Sequence, residues 1–196
     1  MGYVVCGLGN PGDEYKNTRH NVGMIIIDEF AKKNGGSDWK KDSVRNALIS
    51  KVDLEGEKIL LIKPQTFMNK SGISVKDLVQ SPKKLEKLVV IQDDLDLPLG
   101  STKIVFNRGS GGHKGIESIV RTVKSEAFVR VRVGICPTTP SGKLKKPDHK
   151  KILDFIVGEF KKPELDIIKK VGKKVCDALE MIINESREKA MTEFNC

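Results

Sequence analysis

Short apolar runs alternating with helical patterns constrain this chain more than any other feature. Tyr3–Cys6 is nearly continuous apolar sequence ending in glycine, the pattern of a buried strand. Val22–Lys33 then reads as a helix closed by Gly35-Gly36. Ala47–Leu54 and Lys58–Ile62 are β-type runs joined across Glu55-Gly56, an antiparallel pair ended by Pro64. Ser71–Gln80 predicts a helix stopped at Ser81-Pro82, and Leu88–Gln92 a buried strand running into Asp93-Asp94. Ser101–Phe106 is another strand, and Ile116–Val123 a helix entered through glycines.

In Phe128–Cys136 the alternation puts Arg130 and Arg132 on one face and Val129, Val131 and Val133 on the other. Pro137–Lys151 reads as a mobile basic loop and Lys151–Val157 as a short helix. Pro163 opens a long final helix with the stripe Leu165, Ile168, Val171, Val175, Leu179, Ile182. The expectation is one α/β domain over residues 1–196: a central mixed β-sheet flanked by helices, with a long C-terminal helix. In such sheets sites form beyond the carboxyl ends of the strands. The unusual residues lie there, in Gly9–Gly12, Lys63–Asn69 and Asp93–Asp96.

Charge narrows the partners. There are 35 Lys+Arg against 26 Asp+Glu, a formal balance of +9, which favours a polyanion such as nucleic acid. Aromatics are only 5%, too few to stack many unpaired bases, so phosphate contacts would have to supply most of the binding. No apolar run approaches the roughly 20 residues that cross a bilayer, and no secretory leader or myristoylation pattern is visible at Met1-Gly2. The expectation is a cytoplasmic protein with no membrane partner. Cys6, Cys136, Cys176 and Cys196 are scattered, without ligand or disulfide spacing; Cys6 and Cys136 read as core residues. No metal and no cofactor are expected.

Gly7-Leu8-Gly9-Asn10-Pro11-Gly12 matches G-x-G-x-x-G after a strand. A dinucleotide loop should open directly into a helix, whereas Asp13-Glu14-Tyr15-Lys16-Asn17 follows, with two carboxylates that would repel a pyrophosphate. That reading is set aside. His20 sits just before a helix, where the dipole disfavours imidazolium and a nearby carboxylate would oppose that effect. Asp93 and Asp96 are the available partners for a water-activating base. Asn10, Asn69 and Gly111-Gly112 can converge on the same strand ends. A neutral amide can donate to a developing oxyanion without competing for the proton. With no serine elbow, reactive-cysteine context or metal cluster, direct attack of water on an activated acyl group such as an ester fits what remains.

Several ordered motifs carry a resemblance. They are Gly7–Gly12, Tyr15, Thr18–Gly23, Lys63-Pro64 with Thr66–Asn69 and Ser71-Gly72, Asp93–Pro98 with Gly100, and Gly111-Gly112-His113 with Gly115. From residue 3 to about residue 160 the chain resembles bacterial-type peptidyl-tRNA hydrolase, whose members cleave the ester between a peptide and the tRNA 3′ end. The resemblance implies a monomeric, cytoplasmic, cofactor-free enzyme without a covalent intermediate. By matching position it implies His20 as general base, Asp93 as its orienting partner and Asn10 as the reader of the first peptide bond. It further implies Asn69 and Phe67 holding the 3′ end at the acceptor end of the tRNA, Tyr15 and Met68 lining the site, and Gly111 and His113 among the substrate contacts. A catalytically silent RNA-binding relative is the alternative.

The chain also departs from the family pattern. Lys114 stands where the family usually has asparagine, and an ammonium can donate but not accept, so it could become a phosphate contact. Asn107-Arg108 replaces glycines, which should stiffen that loop, and Val105 replaces a basic residue. Lys103 and Arg132 are the expected tRNA phosphate contacts, with diffuse attraction from Lys143, Lys145, Lys146 and Lys150.

Overall fold

Val4–Gly7 (β1) is buried at all four positions, which requires neighbours on both edges and both faces. The computed structural model describes residues 2–195; Met1 and Cys196, including the expectations placed on them, lie outside the described residues. After β1 come α1 (Val22–Lys33), β2 (Lys40–Asp42), β3 (Ala47–Leu54), β4 (Glu57–Pro64), α2 (Pro82–Leu85) and β5 (Leu88–Pro98). β6 (Thr102–Phe106), α3 (Lys114–Val123), β7 (Val129–Cys136), α4 (Ile152–Val157), α5 (Lys162–Asn184) and α6 (Arg187–Phe194) complete the described chain.

The seven strands form one mixed sheet in the order β2-β3-β4-β1-β5-β7-β6. β1 runs parallel to β4 and β5, and β5 parallel to β7, while β2–β3, β3–β4 and β6–β7 are antiparallel. Alternation splits the core between the two faces. Val5, Val89, Ile91, Val129, Val131 and Val133 pack with α1, α5 and α6, whereas Val4, Cys6, Leu88 and Val90 face α3 and the turns before α2. The patterning in the sequence therefore matches every strand but β2, together with α1, α3, α4 and the start of α5. The β3–β4 turn is also the expected one, with Glu55 and Gly56 both at positive φ.

Four details differ from the sequence reading. Residues 71–80 form not an α-helix but 3₁₀ turns, Met68–Ser74 and Lys76–Leu78. There the Val75 N–H donates to the Gly72 carbonyl (3.3 Å) and the Leu78 N–H to the Val75 carbonyl (3.1 Å), the three-residue closure of a 3₁₀ turn, while the Gly72 N–H meets the Ser118 hydroxyl (3.0 Å). β5 continues through Asp93 and Asp94 to Pro98, held by β7 with a register shift between Asp94 and Pro98. A short charged edge strand, β2, pairs with β3. Finally, the C-terminal helix stops at Asn184, and Ser186 caps a separate α6 by accepting the Lys189 N–H (3.1 Å).

The connections leaving β1 and β5 diverge toward opposite edges of the sheet, so their carboxyl ends border a crevice at a topological switch point. Glycine lets α1 descend onto that crevice. A Cβ on Gly23 would lie 2.4 Å from the Ile91 carbonyl oxygen and 2.6 Å from the Leu8 nitrogen. This contact seats the start of α1, and with it Arg19-His20-Asn21, over the ends of β1 and β5. Gly23→Ala should destabilise the protein by about 1–3 kcal/mol through overpacking against backbone, measurable by urea denaturation.

Candidate active site

The residues singled out in the sequence arrive from separate elements. Asn10 follows β1, His20 lies in the 3₁₀ turn Arg19–Asn21 before α1, and Phe67–Asn69 follow β4. Asp93 lies within β5, and His113 caps α3. All of them line a groove of 1380 Å³, together with Lys103, Gly111, Lys114 and Arg132. Tyr15 does not line that groove; it ends the 3₁₀ turn Asp13–Tyr15, its carbonyl taking the Thr18 N–H and hydroxyl.

The Asp93 side chain is 4% exposed and is held by two imidazoles on a single oxygen. His20 Nδ1 lies 2.8 Å and His113 Nε2 2.9 Å from Asp93 Oδ1. Asp96, the other partner considered for His20, pairs with Lys146 (2.5 Å). Burial works against ionisation of Asp93, but the two histidines outweigh it and hold the carboxyl well below the usual range. Burial likewise works against the His20 imidazolium, and the Asp93 charge and hydrogen bond outweigh it, raising the pKa above 6.5. The carboxylate therefore prevails over the helix-start effect anticipated from sequence.

Because Asp93 is ionised, His20 donates from Nδ1 to it, which leaves the lone pair on Nε2. Among the described residues no group occupies Nε2, and His20 lines the groove. Asn10 is fixed at three points. Its N–H donates to Asn21 Oδ1 (2.8 Å), its carbonyl accepts from Asn21 Nδ2 (2.9 Å), and its Oδ1 accepts the Met68 N–H (2.9 Å). The Asn10 Nδ2 donors are thereby turned away from the Met68 backbone. Phe67 is 59% exposed and Asn69 is exposed, whereas Met68 is buried and contributes chiefly its backbone N–H.

His113, expected among the substrate contacts, uses both ring nitrogens inside the protein. Its Nδ1 accepts the N–H groups of Gly115 (3.2 Å) and Ile116 (3.4 Å), and its side chain is 8% exposed. Lys114 is exposed and pairs with Glu117 (3.1 Å). Arg132 is ion-paired with Asp94, and its cross-strand neighbour Lys103 is exposed. Val105 is buried in β6.

The structural roles of two arginines escaped the sequence reading. Arg130 is 3% exposed and holds the carbonyls of Arg108 and Gly109 (both 2.9 Å), fixing the loop in which Asn107 adopts positive φ. Arg19 donates to Glu164 (2.9 Å) and to the Gly158 carbonyl (3.2 Å), with its guanidinium 4.5 Å from the Phe155 ring centroid. Alternation could place Arg130 on a face but not under a loop, and nothing local marks Arg19 as a clamp between the His20 turn and the α4–α5 junction.

His20, Asp93 and His113 also offer three potential metal-ligating atoms within 4.8 Å of one another. Their fit to a metal is poor. Ligands 2.0–2.1 Å from a tetrahedral zinc stand about 3.3 Å apart, whereas these contacts are hydrogen bonds of 2.8 and 2.9 Å. Among the described residues the cysteines offer no nucleophile either: Cys6, Cys136 and Cys176 are buried, and burial pushes the Cys6 thiol up to about 12.

An imidazole–carboxylate pair and a fixed amide, set at the switch point of a mixed sheet, make this an α/β enzyme of the hydrolase class. Residues 4–196 match the family described as peptidyl-tRNA hydrolase. A peptidyl-tRNA hydrolase from a Thermoanaerobacter species is 44% identical over 194 residues, covering 98% of this chain and 99% of that one. One from Carboxydothermus hydrogenoformans is 38% identical over 194 residues, covering 98% of each. The crystal structure of peptidyl-tRNA hydrolase from Acinetobacter baumannii matches with a TM-score of 0.87 at 26% identity, covering 99% of this chain and 94% of that one. The chain belongs to the peptidyl-tRNA hydrolase family.

Asp93→Asn should lower kcat about 10²–10⁴-fold, because an amide can donate to His20 and favour the wrong tautomer. It also removes what raises the His20 pKa. With His20 as the base, which works only above its pKa, the acid limb of the kcat/KM profile should move to lower pH beneath a reduced plateau.

Proposed function

We propose that this chain cleaves the ester joining a peptide to the 3′ end of tRNA, using water activated by His20. Family membership supplies the substrate, and the observation that carries the mechanism is the buried Asp93 holding His20 Nδ1 at 2.8 Å. Nε2 takes a proton from water as the water oxygen bonds to the ester carbonyl carbon. The resulting tetrahedral centre collapses, the bond to the ribose oxygen breaks, and the imidazolium returns its proton to that oxygen. The products are a free peptide carboxyl and a tRNA 3′ hydroxyl. No step passes through a covalent enzyme intermediate, a metal or a cofactor.

In this reading Asn10 Nδ2 donates to the first peptide bond and so separates peptidyl-tRNA from free aminoacyl-tRNA. Phe67 offers its exposed ring, and Asn69 its amide, to the 3′ terminus at the acceptor end; Gly111 leaves the groove wall open to the backbone of the substrate. Tyr15, outside the groove lining, would act on the substrate only from its margin. Lys103, Arg132 and Lys114 would meet phosphates, the last two by exchanging their carboxylate partners. The reading also includes a monomer acting in the cytoplasm. Among the described residues no helix is long and apolar enough to cross a membrane.

Release of peptide from an N-blocked aminoacyl-tRNA tests the reading. His20→Ala should lose about 10²–10⁴-fold in kcat; equal turnover in both proteins would reject His20 as base. A wild type that binds tRNA without turnover would be a silent relative. Neutralising Lys103 or Arg132 should weaken tRNA binding and reduce the slope of log affinity against log salt by about 1 each, and an unchanged slope would remove that residue from the phosphate contacts.

A further inference from the structure

Two histidines on one carboxylate oxygen is more than an orienting pair needs. His113 Nδ1 faces the backbone N–H groups of Gly115 and Ile116, so that nitrogen carries the lone pair. The ring proton must then sit on Nε2, which donates to Asp93 Oδ1 at 2.9 Å. The same oxygen takes the His20 N–H at 2.8 Å, with the two ring centroids 5.2 Å apart. The start of α3 thus fixes one imidazole tautomer, and that imidazole competes with His20 for Asp93. The loop before it is itself anchored, by Arg130 on the carbonyls of residues 108 and 109.

We propose that His113 is a positioning residue which tempers the basicity of His20 through the shared Asp93 oxygen and makes no contact with substrate. The inference rests on the reading of His20 as the general base. Each N–H that Asp93 accepts from His113 satisfies part of its charge and weakens its pull on the His20 proton. Other charged groups at the groove are engaged elsewhere, Asp94 with Arg132, Asp96 with Lys146 and Lys114 with Glu117; Arg19, beside His20 in the chain but outside the groove lining, pairs with Glu164. Lys103 and His149 also line the groove, and neither forms a hydrogen bond to His20 or Asp93.

Substitution can separate the two tasks of His113. Asparagine and serine are strong N-caps and would keep the start of α3, but neither reaches Asp93 as the distal ring nitrogen does. Glutamine carries an N–H at about that distance. In His113→Asn and His113→Ser, Asp93 should hold the His20 proton more tightly. The acid limb of kcat/KM, and the His20 ring titration followed by NMR, should then move up by about 0.5–1 pH unit. KM should stay near wild type, and His113→Gln should bring the limb back. Unmoved limbs and titrations in both capping variants would overturn the proposal, as would a raised KM with the limb in place, the mark of a substrate contact. Should one capping variant fail to fold, the other carries the test. His20→Ala run alongside separates the failures: wild-type turnover in it rejects the general base itself, whereas an inactive His20→Ala with an unmoved limb in His113→Asn rejects only the role of His113.

Discussion

One buried oxygen organises the active site. A carboxylate taken out of water is tolerated only when donors replace the lost hydration, and Asp93 Oδ1 receives two. The donors come from residues 20 and 113, so the charge ties the approach to α1 and the start of α3 to the middle of β5. Each partner is then oriented by what it must do for Asp93: His20 turns its other nitrogen to the groove, and His113 turns its other nitrogen to the backbone of α3.

The surroundings keep that arrangement in register. Asn21 grips the backbone of Asn10 from both sides, and Met68 grips its side chain, so the ends of β1 and β4 are linked to the turn that carries His20. Arg19 ties the same turn to the α4–α5 junction, while Arg130 secures the loop leading to His113. Hydrogen bonds to charged groups are the stronger kind, about 1.5–3 kcal/mol each. Here they fix loops whose own sequences carry little structural preference.

Electrostatics refine the view given by net charge. The balance of +9 favours a polyanion over the whole surface, yet several cations that line the groove come with carboxylates. Arg132 has Asp94, Lys146 has Asp96 and Lys114 has Glu117, whereas Lys103 has no carboxylate partner among the described residues. A phosphate arriving at the groove would therefore exchange partners at several points and not simply fill a bare basic patch.

Local pattern carried much of this protein. Continuous apolar runs, alternation and helical spacing marked β1, α1, β3, β4 and β7 within two residues at either end, because each must bury apolar side chains whatever packs on it. The motif residues around Asn10, His20, Phe67–Asn69 and Asp93 were legible as a set, since strand ends in α/β sheets gather the loops that follow them. Pattern failed where a distant group supplied the hydrogen bond. In the 3₁₀ turns over residues 71–80 the Gly72 N–H goes to the Ser118 hydroxyl of α3, and β5 extends to Pro98 because β7 continues beside it. His113, a substrate contact by resemblance, has both ring nitrogens turned to protein partners, and the residues alone left Asp93 and Asp96 as alternatives, of which the resemblance named Asp93 and the fold brings Asp93 to His20. The sequence by itself determined which elements form and which chemistry they carry. Only the tertiary structure decided which nitrogen meets which oxygen, because those contacts join residues 20, 93 and 113, and their geometry exists only once the three elements have packed.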